Sequence, residues 1–337
     1  MRLGRIAALL ATAATASAQA AGTVAEIVST VREAVAAHRS DSSLARWLHR
    51  FRPAERLDDR VIEELESAGA GPKAVAEMES IRDLSGALPA PSPPPVFPHG
   101  PAPSAAEQGR ILDAARARAL AYAASLPDFI CMESVRRYEL RGGGWALRDK
   151  LEVKLTYFGQ KEKYDLVSRN GRAAGFSYRE SGGAVTEGEF GTALLGIFVP
   201  DSETRFGWDH WTTLRGGEAH VFRFRIALDH STYRIAVGTG NGRLQEVVTG
   251  QEGLVYVDAA SGQVMRVVAA SVSIPPDFPV RAASRVVDYG FVPISSRTYL
   301  LPVRAEARME ADLLRTRNVV EFHGYQKFEG QSTITFH

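Results

Sequence analysis

The chain has 337 residues, 45% of them apolar, a formal charge of +1 and a single cysteine. That length and apolar share suit one or two globular domains with a substantial core and exclude a disordered chain. The near-neutral charge leaves no global field to draw nucleic acid, and the lone Cys131 excludes an intramolecular disulfide, so stability has to come from packing.

Arg2 and Arg5 precede an apolar run from Ile6 to Ala16 that is too short for a permanent membrane span. Ala16-Ser17-Ala18 then supplies the small-residue pattern of a cleavage site before Gln19, with Ala18-Gln19-Ala20 as a second choice. Residues 1–18 therefore read as a signal peptide. The expected destination of the mature chain is the periplasm or the medium, with no transmembrane segment. No cysteine stands at the cleavage site, so a lipid anchor made there is not expected.

Residues 23–88 read as a small helical module. Val24, Ile27, Val28, Val31 and Val35 recur at helical spacing behind Thr23 as N-cap. Ser42 or Ser43 is expected to cap a second helix carrying Leu44, Trp47, Leu48 and Phe51, with Pro53 beyond its end. Asp58 opens a third with Val61, Ile62 and Leu65, stopped at Gly69-Ala70-Gly71, and Pro72 starts a fourth with Val75, Met78 and Ile81. Between Pro89 and Pro103 prolines remove most backbone donors, which predicts an extended spacer.

Residues 104–337 read as one helix followed by an antiparallel β domain. Ile111, Leu112, Ala115, Ala119 and Tyr122 share a face of a helix from Ser104 to Ser125, stopped by Pro127. Beyond it period-two alternation dominates. Phe222, Phe224, Ile226 and Leu228 alternate with Arg223 and Arg225, and Leu151, Val153, Leu155 and Tyr157 alternate with Glu152, Lys154 and Thr156. Arg304, Glu306, Arg308 and Glu310 form the expected wet side of another strand, opposite Ala305, Ala307 and Met309. Turns at Gly142-Gly143-Gly144, Asn170-Gly171, Arg215-Gly216-Gly217, Asn241-Gly242 and Ser261-Gly262 separate ten or more strands in a meander. Glu189 to Phe198 breaks the pattern as a short helix laid across the sheet.

Chemical motifs are sparse. None of the eight histidines pairs with another at metal-ligand spacing, and His210, His220 and His230 fall in different elements. Gly238-Thr239-Gly240-Asn241-Gly242 lacks the following helix of a phosphate loop, and Gly175-Phe176-Ser177-Tyr178-Arg179 lacks the second glycine of a nucleophile elbow. Glu187 with Glu189, and Asp201 with Glu203, read as solvated acid pairs near turns. Cys131, within Phe129-Ile130-Cys131-Met132, reads as a small inert thiol in a buried strand. Trp208 and Trp211 would alternate onto opposite faces of a regular strand, one toward the core and one toward solvent or a ligand. No catalytic residue, cofactor or metal is expected, and the expectation is a non-enzymatic protein.

Gly253-Leu254-Val255-Tyr256-Val257-Asp258, Gly262-Gln263-Val264-Met265-Arg266, Asp288-Tyr289 and Leu301-Pro302-Val303-Arg304, closed by Val319 to Tyr325, resemble the lipoprotein-carrier (LolA/LolB-like) superfamily over residues 127–337. The resemblance implies an α+β fold, a curved antiparallel half-barrel whose concave face is apolar, covered by helices and able to hold acyl chains of a lipid or lipoprotein. Those carriers lack the helical module, and no residue here matches their ligand contacts one by one. The whole chain is similar to bacterial exported proteins with the same module and linker, a likeness that implies no activity. The expected role is a carrier-like binding protein for a hydrophobic ligand lined by Leu155, Tyr157, Trp208, Phe222, Phe224 and Ile226. The alternative is an envelope protein whose helical module docks a partner while the β domain serves as scaffold.

Overall fold

The computed structural model describes residues 21–328 apart from 98, 142–143, 179–180, 182–189, 191, 239–243 and 312–313. The proposed signal peptide, Glu187 with Glu189, and the Asn241-Gly242 turn thus lie outside the described residues. The chain divides into two compact units, Met1–Val96 and Phe97–His337.

The first unit holds four helices, α1 (Val24–Ala36), α2 (Asp41–Arg50), α3 (Asp59–Ser67) and α4 (Pro72–Ser85). Thr23 and Glu26 close a capping box at the start of α1, satisfying two backbone donors reciprocally. The expected cap of α2 is corrected. Its N-cap is Ser40, without a side-chain bond, and neither Ser42 nor Ser43 fills that place. Asp41 instead reaches across to α4, where its two carboxylate oxygens accept from Lys73 N and Ala74 N, each at 2.9 Å. An anion at that helix start meets the free N–H groups and the positive end of the dipole. Gly71 is required beside it, because a Cβ there would lie 2.4 Å from Asp41 Cγ.

The second unit begins with α5 (Ala105–Ser125), capped by Ser104 with Glu107. An open, curved antiparallel sheet follows, built from β1 (Phe129–Arg141), β2 (Gly144–Phe158), β3 (Lys161–Arg169), β4 (Arg172–Ala173), β5 (Arg205–Leu214), β6 (Gly217–Ile226), β9 (Gly250–Asp258), β10 (Val264–Val272), β11 (Val280–Ile294), β12 (Arg297–Ala311) and β13 (Leu314–Lys327). β7 (Arg234–Gly238) and β8 (Leu244–Val248) pair as a separate hairpin, and α6 (Thr192–Phe198) precedes β5. The spatial order is β4-β3-β2-β1-β13-β12-β11-β10-β9-β6-β5, with β4 and β5 at the open edges. This is an α+β half-barrel. Asn170 and Gly171 at φ 51° and 76°, and Arg215 and Gly216 at 49° and 85°, give the hairpins the left-handed turn residues that suit strand twist.

Two strand expectations are corrected. Leu228 does not continue the Phe222 series, because the chain leaves β6 after Ile226 for a 3-10 turn over Leu228–His230 and exposes that leucine. Glu306 is buried and not wetted, because Arg304 at 3.0 Å, Arg317 at 2.9 Å and Arg308 close around its carboxylate.

Candidate functional site

Strand pairing carries one row of apolar side chains across nine strands of the concave face. It runs Trp208, Phe222, Val255, Val267, Val287, Ala305, Val320, Val135, Leu151, each directly opposite the next. All but the half-buried Trp208 are buried. The parallel row on the other face reads Val221, Tyr256, Arg266, Asp288, Arg304, Glu321, Ser134, Glu152 and turns polar after its second member. Period two thus sorts the sheet into a greasy inside and a charged outside.

Helices roof the inside. Ala115, Ala119 and Tyr122 of α5 and Leu194, Ile197 and Phe198 of α6 are buried in one cluster with the apolar row. The Tyr122 ring meets Tyr289 edge-on, and Phe198 stacks on Phe206 at 5.4 Å. Burial of its surroundings pushes the Tyr122 hydroxyl well above the ordinary phenol range, and that oxygen has no hydrogen-bond partner among the described residues.

The six residues singled out from sequence sit in two groups toward opposite ends of the sheet and join through the same cluster. Leu155 lies opposite Cys131 and Tyr164, and Tyr157 stacks on Phe129 at 5.1 Å. Phe222, Phe224 and Ile226 are buried in β6, with Trp208 beside them on β5. Cys131 is buried in the first group, beside Leu155.

The expectation that Trp208 and Trp211 face opposite sides is corrected. A bulge between Trp208 and His210 inserts one residue and returns both indoles to the same side. Trp208 meets Trp211 at 5.5 Å, Trp211 meets His220 at 4.1 Å, and Trp211 Nε1 donates to Pro101 O at 3.0 Å. Burial pushes the His220 pKa below its usual value.

Sequence reasoning passed over the polar end of the concave face. Along β1, Glu133 and Arg137 keep the phase of Phe129, Cys131 and Val135, and both are buried. Arg137 donates to both carboxylate oxygens of Asp149, at 2.6 and 2.7 Å, and to Ser181 Oγ at 3.1 Å. Arg169 adds a contact to Asp149 at 2.7 Å. Burial opposes ionisation of Asp149, but Arg137 and Arg169 outweigh it and hold its pKa below the usual carboxylate range. The signal was the unbroken period of two.

His210, His220 and His230 are not brought together, and no group of three metal-ligating side chains occurs among the described residues. Asp201 and Glu203 are exposed. No helix among the described residues is long and apolar enough to cross a membrane.

No protein-family model matches the chain, and no curated protein matches it. Among solved structures it is similar to a LolA superfamily protein from Nitrosomonas europaea, at 12% identity and TM-score 0.35, covering 66% of this chain and 93% of that one. A domain from Vibrio parahaemolyticus described as an outer membrane lipoprotein-sorting protein matches at 13% and 0.30, covering 64% and 90%. A DUF1329 family protein from Desulfovibrio piger matches at 9% and 0.32, covering 66% and 94%. At these identities the likeness is one of fold alone.

Proposed function

We propose that this is an exported, non-enzymatic, carrier-like protein that holds an acyl chain between the concave face of the sheet and its helical roof. The observation that carries the reading is the apolar row crossing nine strands beneath a helical roof. Each buried CH₂ contributes about 0.8 kcal/mol, so a long chain binds by area alone, without a dedicated polar motif. The silence of the sequence on catalytic motifs fits such a site.

The roof is suited to movement. Ala115 and Ala119 bury a single methyl each and Ile111 and Leu112 are only half-buried, so Tyr122 is the one large α5 side chain among the described residues that is fully buried against the sheet cluster. The sheet residues beneath are buried, so a ligand gains access only when α5 or α6 swings aside. The Tyr122 hydroxyl offers a hydrogen bond to the carbonyl or carboxyl end of a bound chain.

Lipid extraction and native mass spectrometry of the purified protein test the proposal. One acyl chain per protein, or uptake of one chain by the stripped protein, supports it. A stripped protein that takes up none sinks it.

A further inference from the structure

On the convex face, at the β5 edge of the sheet, lies an open groove of about 530 Å³. Its origin is a missing side chain. Gly207 of β5 lies opposite Arg223 of β6, which lies opposite Leu254 of β9. One step along, Arg205 lies opposite Arg225, which lies opposite Glu252. Facing side chains on paired strands stand close enough to act on one molecule. Three guanidinium groups therefore surround the vacancy at Gly207, over a floor of backbone and Leu254.

Arg225 pairs with Glu252 at 3.0 Å and Arg223 with Asp209 at 3.1 Å. The Arg225–Glu252 pair is exposed, and such pairs are weak and exchange readily, whereas Asp209 is half-buried and the exposed Arg223 also donates to Trp208 O at 3.1 Å. Arg205 has no hydrogen bond or ion pair among the described residues. Arginine forks bind oxyanions in the plane of the fork. Three forks around one position call for more acceptor oxygens than the two of a carboxylate, which a phosphate ester supplies.

We infer that this groove binds the phosphate group of an amphiphile, with Arg205, Arg223 and Arg225 on the phosphate and the apolar portion over Gly207 and Leu254. The site is separate from the acyl trough, because these side chains point to the opposite face from Phe206 and Phe224. Either site can therefore fail without the other.

The test is calorimetric titration of the full chain with a water-soluble phosphatidic acid bearing six-carbon chains, with the matching phosphatidylcholine, and with inorganic phosphate. The phosphatidic acid is expected to bind at least about tenfold tighter than either of the others. Arg205→Gln is expected to weaken it about fivefold. Gly207→Val should weaken it further by filling the vacancy, and an added Cβ there meets nothing within 4 Å, so the melting temperature is expected to stay near the parent's. Both variants should take up long-chain fatty acid as the parent does. Inorganic phosphate binding as tightly as the phosphatidic acid would overturn the amphiphile assignment. Parental affinity in the two variants would overturn the site.

Discussion

Tyr122 on the roofing helix meets Tyr289 on β11 edge-to-face, with ring centroids 6.0 Å apart and planes at 82°. It is the largest buried side chain that α5 places on the sheet among the described residues, since Ala115 and Ala119 are its other buried contacts. Tyr122→Ala is expected to cost about 3 kcal/mol in urea unfolding and to speed ligand exchange. Tyr122→Phe keeps the ring and removes a buried hydroxyl that has no partner among the described residues, so stability should hold or rise by about 1 kcal/mol. A large loss in the phenylalanine variant would contradict this reading of the contact.

Breaking the Arg137–Asp149 pair strands a charge in the interior. Arg137→Ala is expected to lose about 3 kcal/mol, softened because Arg169 remains on Asp149. Replacing both partners with leucine should recover most of that loss, because an apolar pair needs no compensation. Denaturant midpoints of the two variants decide it.

Gly253 and Gly207 have opposite tolerances although both lie in strands. A Cβ on Gly253 would stand 1.9 Å from Val268 O, inside the β9–β10 ladder. Gly253→Ala is therefore expected to cost about 3 kcal/mol or to prevent folding, whereas Gly207→Val should melt near the parent temperature.

Stability should fall at both extremes of pH. Burial opposes ionisation of Asp288, but Arg266 at 2.6 Å, with Arg215 and Arg304, holds its pKa below the ordinary value, as Arg137 and Arg169 do for Asp149. Their contribution is complete above the unfolded pKa of about 4 and drains away as pH drops through the lower folded values. His220, also depressed, adds a loss that begins as pH falls below about 6.5. Tyr122 and Tyr325 are raised by burial, so the unfolded chain ionises first and stability declines as pH climbs past about 10. Unfolding midpoints across that range check the sign of each arm.

Local signals carried much of the fold. Thr23 and Ser104 marked two helix starts, and the alternation around Phe222 and Leu155 marked which face is dry. What escaped depended on partners far along the chain. Asp41 serves backbone donors 32 and 33 residues later, Glu306 is sealed by arginines from two strands, and the bulge that unites Trp208 with Trp211 leaves no composition signal. Arg205, Arg223 and Gly207 meet only once β5 and β6 are in register.

The most direct test of the acyl trough uses the one native thiol. Cys131 is buried on the concave face opposite Leu155, so a maleimide reaches it only when the roof opens. A saturating long-chain fatty acid is predicted to slow its labelling at least about tenfold, because the chain would lie across the thiol. A labelling rate indifferent to the fatty acid would contradict the account.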